Sequence, residues 1–163
     1  MKTLALPIEA ALLLTDLITP ERIKIPLDAR NKDDILRELV DVVTRADGIE
    51  HPEDVLRAVR EREAVLSTGI GNGVAIPHGK SPAIGDLRMA AGTTVEPIDF
   101  DALDGQPVRL FFLLVGPESA AGPHIKALSR ISRLVRKDSV RERLMAASDA
   151  DAFYRALQDA EGA

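Results

Sequence analysis

A chain of 163 residues with 45% hydrophobic and 29% charged residues has the size and composition of one globular domain with a substantial core. The formal charge of −5 and the sparse aromatics (Phe100, Phe111, Phe112, Phe153 and Tyr154) argue against a nucleic-acid binder, which needs a basic surface and often stacking platforms. The absence of cysteine excludes disulfides, thiol chemistry and thiolate metal sites, and it fits a cytoplasmic protein.

Met1–Leu14 is rich in Leu and Ala, but Pro7 and Glu9 break the apolar stretch that a secretory signal requires. Residues 1–13 therefore read as a lead-in and residues 14–160 as the domain. No apolar run is long enough to span a bilayer, so no membrane insertion is expected. Leu12–Ile18 reads as a short helix stopped by Pro20, and Arg22–Leu27 as a short strand. Asn31 can cap a helix from Lys32 to Ala46, with Ile35, Leu36, Leu39, Val40, Val42 and Val43 at helical spacing and Gly48 ending it. A second helix begins at Pro52, with Glu53 and Asp54 beside the positive end of its dipole, and runs towards Ala64.

Glycines punctuate the next stretch at Gly69, Gly71 and Gly73. Strands are predicted at Gly73–Pro77, Leu87–Val95 and Val108–Val115, the last apolar enough to be covered on both faces. Pro97–Pro107 is a turn-rich connection. Pro123 is expected to start a third helix with a buried stripe of Ile125, Leu128, Ile131, Leu134 and Val135, followed by shorter helices near Ser139–Ala146 and Ala150–Asp159. Helices before, between and after strands predict a single α/β domain with a central mixed sheet flanked by helices on both sides.

Several residues are candidates for chemistry. The segment from Gly73 to Ser81 looks like a nucleotide-binding P-loop but has five residues between its glycines instead of four, and Pro82 opposes the helix that must follow. His78 follows an apolar strand and Pro77, which places an imidazole at a strand end, while Gly79 is expected to leave its other side open. A neutral imidazole is a nucleophile near pH 7. Alone, it is equally readable as a hydrogen-bonded or surface histidine. His124, in the first turn of a helix, can be kept neutral by the positive helix end or can be a capping residue. Arg62 lies in Arg60-Glu61-Arg62-Glu63, which by itself is a solvated helix face. His51 looks like a helix-start residue. The histidines lack short ligand spacing, so a His/His/carboxylate metal site has little support. No Gly-x-Ser-x-Gly elbow supports a hydrolase. The run from Lys126 to Arg143 holds seven Lys/Arg against Asp138 and Glu142 and reads first as a solvated face.

The stretch Glu63-Ala-Val-Leu-Ser-Thr-Gly-Ile-Gly71-Asn72-Gly73-Val-Ala-Ile-Pro-His78-Gly79 resembles the phosphorylation-site signature of enzyme IIA domains of the fructose–mannitol type. These belong to the bacterial phosphoenolpyruvate-dependent sugar phosphotransferase system, and the similarity in order runs from about Leu14 to Leu157. The resemblance implies a protein-histidine phosphotransferase component, with His78 the phosphoryl acceptor on Nε2 and Arg62 and His124 flanking it. It implies a histidine phosphocarrier protein, or its nitrogen-branch counterpart, as donor and a IIB cysteine as acceptor. Backbone groups of Gly71, Asn72 and Gly73 are expected to approach the phosphate. No metal, nucleotide or other cofactor is required, because the phosphate arrives already activated. Two functions share the signature: a carrier in sugar uptake, and a nitrogen-regulatory IIA that binds target proteins according to its phosphorylation state. The generic signature belongs to the transport components, which puts that reading first.

Overall fold

A computed structural model describes residues 13–162 of the chain. The lead-in expected for residues 1–13 falls outside them except for Leu13, and Leu14–Asp16 forms a single 3-10 turn where a short helix was predicted. The expected first strand shortens to β1 (Ile23–Lys24), because Pro26 offers no N–H for pairing.

Helix α1 (Lys32–Asp47) is set by local signals. The Asn31 side chain accepts from the Asp34 N–H at 2.9 Å, and Gly48 closes the helix at φ 65°. Helix α2 (Pro52–Val65) follows, with proline at its first position. Then come β2 (Gly69–Gly71), β3 (Val74–Ala75), β4 (His78–Lys80), β5 (Arg88–Ile98) and β6 (Val108–Gly116). Three helices complete the described chain: α3 (Ala121–Leu134), α4 (Asp138–Ala146) and α5 (Ala150–Gly162).

The sheet is mixed, as predicted, in the order β1-β5-β6-β3-β2. β5 and β6 are antiparallel, β1 is parallel to β5, and β2 is antiparallel to β3. β3 and β4 both run parallel to the same flank of β6, one after the other, with Val74 opposite Leu110 and His78 opposite Leu114. Pro77 interrupts the strand without detaching it. It lacks an N–H, but its carbonyl still accepts from Leu114 at 3.0 Å.

Alternation along β6 divides the core. Leu110, Phe112 and Leu114 pack with Ala127, Ile131, Leu144, Phe153 and Leu157 beneath α3, α4 and α5. Phe111, Leu113 and Val115 pack with Ile35, Leu39, Val43, Val55 and Val59 beneath α1 and α2. Both faces of the sheet are covered, which is why Val108–Val115 is almost wholly apolar.

Two expectations about α3 change. The helix begins at Ala121, after a 3-10 turn at Glu118–Ala120; Pro123 sits inside the first turn, where backbone N–H groups have no intrahelical partner to lose. Its buried residues are His124, Ala127 and Ile131, whereas Ile125 is 65% exposed. One step along a helix turns the side chain by about 100°, so a stripe passing through His124 and Ala127 carries Ile125 outward.

Candidate functional site

His78 opens β4 beside the carboxyl end of β6, and β6 leads directly into the turn that starts α3 and carries His124. Carboxyl ends of parallel strands are where α/β sheets commonly open a crevice. The two imidazoles meet there, with ring centroids 5.6 Å apart and planes at 65°. The fold thus joins two histidines that sequence spacing could not relate.

The half-buried His78 ring is anchored on one side. Its Nδ1 lies 2.8 Å from the Ile76 carbonyl, which can only accept, so Nδ1 carries the proton and Nε2 keeps its lone pair. Burial pushes the His78 pKa below the ordinary 6.5. The bond to Ile76 opposes this, the Arg62 charge reinforces it, and the weaker influences of Glu63 and Lys80 respectively raise and lower it. At neutral pH the ring is therefore an uncharged nucleophile with Nε2 available.

His124 has the opposite character. It is 2% exposed, and neither ring nitrogen has a hydrogen-bond partner among the described residues. Burial lowers its pKa to about 4, helped by the His78 and Lys80 charges, so it too is neutral. A buried imidazole with an unsatisfied N–H costs free energy that a hydrogen-bond acceptor reaching it would recover.

Cations complete the site. Arg62, near the end of α2, is held by an Nη1 bond of 2.8 Å to the Leu66 carbonyl. Lys80 stands two residues after His78, on the same face of β4, and its charge reaches both histidines. Among the described residues neither cation has a carboxylate within ion-pair distance, so both charges are available to an anion. Lys80 was not singled out from the sequence, although two-residue alternation along a strand would have placed it beside His78.

Gly79 does not open space, as expected, but closes it. A Cβ there would lie 2.9 Å from the Val59 nitrogen and 3.0 Å from the Ala58 carbonyl carbon. Glycine lets the α2 backbone press directly on β4, and this packing brings Arg62 towards His78.

The remaining expected site residues lie elsewhere. Gly71, Asn72 and Gly73 have φ values of 98°, 58° and 77° and form the turn between β2 and β3. The Gly73 carbonyl accepts from Arg109 and Leu110, whereas His78 is opposite Leu114. Four strand residues separate these levels by about 13 Å. The Asn72 N–H points to the Asp104 carboxylate at 3.3 Å. The Asn72 N–H and the Gly73 carbonyl are thus engaged in and around the hairpin. His51 precedes α2 at the end away from Arg62; it meets Glu53 at 3.4 Å in a cluster with the half-buried Asp54 and does not join the other histidines.

Residues 16–160 match the family model described as phosphoenolpyruvate-dependent sugar phosphotransferase system, EIIA 2. A nitrogen regulatory protein of Bradyrhizobium diazoefficiens is 40% identical over 144 residues, covering 88% of this chain and 94% of that protein. The fructose-specific EIIABC component of Bacillus subtilis is 34% identical over 140 residues, covering 86% of this chain but 22% of that protein. The crystal structure of the nitrogen regulatory protein IIA-Ntr from Neisseria meningitidis superimposes with a TM-score of 0.81 at 34% identity, covering 88% of this chain and 98% of that one.

Proposed function

The chain belongs to the EIIA 2 family of the phosphoenolpyruvate-dependent sugar phosphotransferase system, and on that premise we propose that it carries a phosphoryl group on Nε2 of His78. The observation that carries this reading is the His78 ring itself. Its Nδ1–H is spent on the Ile76 carbonyl, its Nε2 has no partner among the described residues, and the charges of Arg62 and Lys80, which have no carboxylate partner among those residues, act on it. The donor in this reading is the phosphohistidine of a histidine phosphocarrier protein. A bond forms between His78 Nε2 and phosphorus as the donor's P–N bond breaks, and the donor imidazole leaves with the electron pair. The transition state is loose and its charge sits on the equatorial oxygens, so catalysis consists of placement and electrostatic support.

Arg62 supplies a forked guanidinium for those oxygens, Lys80 adds a second positive charge, and His124 offers its unsatisfied N–H. A phosphoryl group at His78 thus supplies the acceptor that the buried His124 ring lacks. Val65, Leu66 and Ile125 are 80%, 56% and 65% exposed; the first two stand at the end of α2 that carries Arg62, and the third adjoins His124 in the chain. An apolar rim of this kind suits a protein partner delivering or collecting the group.

Onward transfer to a IIB cysteine is one destination. The other is regulation of target proteins according to the phosphorylation state of His78. The identity of 40% to a nitrogen regulatory protein matched along 94% of its length favours the regulatory destination over the transport destination that the generic signature suggested. Incubation with phosphoenolpyruvate, enzyme I and the phosphocarrier should place one acid-labile phosphate on each chain, and a folded His78→Ala variant should take up none. Normal uptake by that variant would refute the proposal. Transfer from the phosphoprotein to a purified fructose-type IIB separates the destinations: efficient transfer supports transport, and its absence supports regulation.

A further inference from the structure

Glu63 is a carboxylate hidden next to the site. Its residue is 6% exposed and its side chain 4%. An acidic group in such a place normally has a task, because a buried charge needs full pairing. Its partners are consistent. Oε2 accepts from the Thr68 N–H at 3.0 Å and pairs with Lys32 Nζ at 3.0 Å, while Oε1 takes the Thr68 hydroxyl. Lys32 comes from α1, lies 5.0 Å from the centre of the Phe100 ring, and also reaches Asp101 at 3.6 Å.

The contacts continue to the nucleophile. The Thr68 carbonyl accepts from the Ile76 N–H at 2.9 Å, and the Ile76 carbonyl accepts from His78 Nδ1–H at 2.8 Å. One path of hydrogen bonds therefore runs from Lys32 through Glu63, Thr68 and Ile76 to the imidazole. A second effect runs through the neighbouring side chain. Glu63 ties down the segment after α2, and in that segment the Leu66 carbonyl holds Arg62 at 2.8 Å.

We propose that Glu63, charge-balanced by Lys32, is a positioning residue that fixes both the Nδ1–H tautomer of His78 and the placement of Arg62. This deepens the reading of His78 as the phosphoryl acceptor and rests on it. Glu63 does not touch the transferred group; it acts through Thr68, Ile76 and Leu66. Its charge also opposes the burial that depresses the His78 pKa. The charged or titratable groups facing His78 are Arg62 and Glu63 from α2, Lys80 from β4 and His124 from α3. Lys32 and Asp101 act one contact further out, around Glu63.

The test pairs Glu63→Gln with Lys32→Met. The glutamine keeps the volume and one acceptor but loses the charge and the second acceptor. Nitrogen-15 NMR of the free protein reads the His78 tautomer and titration. Wild type should show the Nδ1–H form alone, and Glu63→Gln should show a mixture of tautomers. Loss of the anion in Glu63→Gln should lower the His78 pKa, whereas loss of its counter-charge in Lys32→Met should raise it. General structural damage would not produce opposite signs. Phosphorylation of Glu63→Gln should slow roughly ten- to hundredfold, as is usual when a group orienting a reactive side chain is lost. An unchanged tautomer, titration and rate in Glu63→Gln would overturn the proposal, and so would His78 shifts of the same sign in both variants. If wild type carries no phosphate on His78, the carrier reading fails separately, and the tautomer and titration results still decide the role of Glu63.

Discussion

The two ends of the Gly71–Lys80 segment use backbone strain and side-chain chemistry in different ways. At the hairpin end, three successive residues have positive φ, and the turn's amide is given to Asp104. At the other end the backbone takes ordinary strand pairing against Leu114, Val115 and Gly116, and the polar groups are on side chains: His78 Nε2, Arg62 and Lys80, which have no carboxylate partner among the described residues, and the His124 ring, which has no hydrogen-bond partner among them. The Asn72 amide of the hairpin end is bonded to Asp104, whereas the histidine end carries its polar groups on side chains around the imidazole. A long motif can therefore combine a folding device with a reactive one, and only the strand register against β6 shows where the first stops.

Substitutions at the two ends should separate accordingly. The largest expected effect is complete loss of phosphorylation in His78→Gln, because no amide nitrogen replaces the Nε2 lone pair. Radiolabel transfer from the phosphocarrier measures this; residual uptake at a tenth of the normal rate or more would mean that a second acceptor exists. Next comes Arg62→Ala. Loss of one preorganised donor to a developing charge costs about a hundredfold in rate. Circular dichroism should be unchanged, since the side chain's bond to Leu66 lies at the end of α2. Equal forward and reverse transfer rates in variant and wild type would remove Arg62 from the site.

His124 sharpens the contrast through pH. Its pKa is about 4 in the folded chain against an ordinary 6.5, so below 6.5 the unfolded chain binds a proton that the folded chain refuses. The stabilisation is fully present above 6.5 and is lost as pH falls towards 4. Replacement by Gln should flatten this part of the stability profile, measured by denaturant melts between pH 7 and 4, and should slow transfer without moving the phosphate from His78. Phosphate mapped onto His124 in the wild-type protein would contradict this division of roles. The His78 pKa also lies below 6.5, and its neutral form is the nucleophile. The phosphorylation rate should therefore stay level from pH 8 to 6.5 and fall only at lower pH.

How much of this was legible in the sequence depends on how local each signal is. Helix α1 could be read to within a residue because its cap, Asn31, and its stop, Gly48, are adjacent to it. Strand β4 was missed because Pro77 reads as a break, and only pairing with β6 shows that the strand resumes. Arg62, His78 and His124 stand on three separate elements, and the family resemblance had to supply an association that periodicity could not. Gly79 was misread because a glycine that opens space and one that admits a neighbouring backbone are identical in sequence; the α2 contact with β4 distinguishes them. Gly71–Gly73 shows a related ambiguity, because its composition suits an anion cradle and a tight hairpin equally.

The smallest expected effect tests that last distinction. In Gly73→Ala the added Cβ would meet only the Pro107 carbonyl, at 3.9 Å, so space is not the obstacle. The obstacle is φ at 77°, which costs an L side chain about 1–2 kcal/mol. A denaturant melt should show a loss of that size with the slope unchanged. The phosphorylation rate at 25 °C should remain within twofold of wild type, because the turn lies about 13 Å from the His78 level and its amide already serves Asp104. Asp104→Asn, which weakens the acceptor for the Asn72 N–H, should behave in the same way with a still smaller loss, under about 1 kcal/mol. If either variant slows phosphoryl transfer tenfold while melting normally, the turn does reach the transferred group, and the separation between the two ends of the segment does not hold.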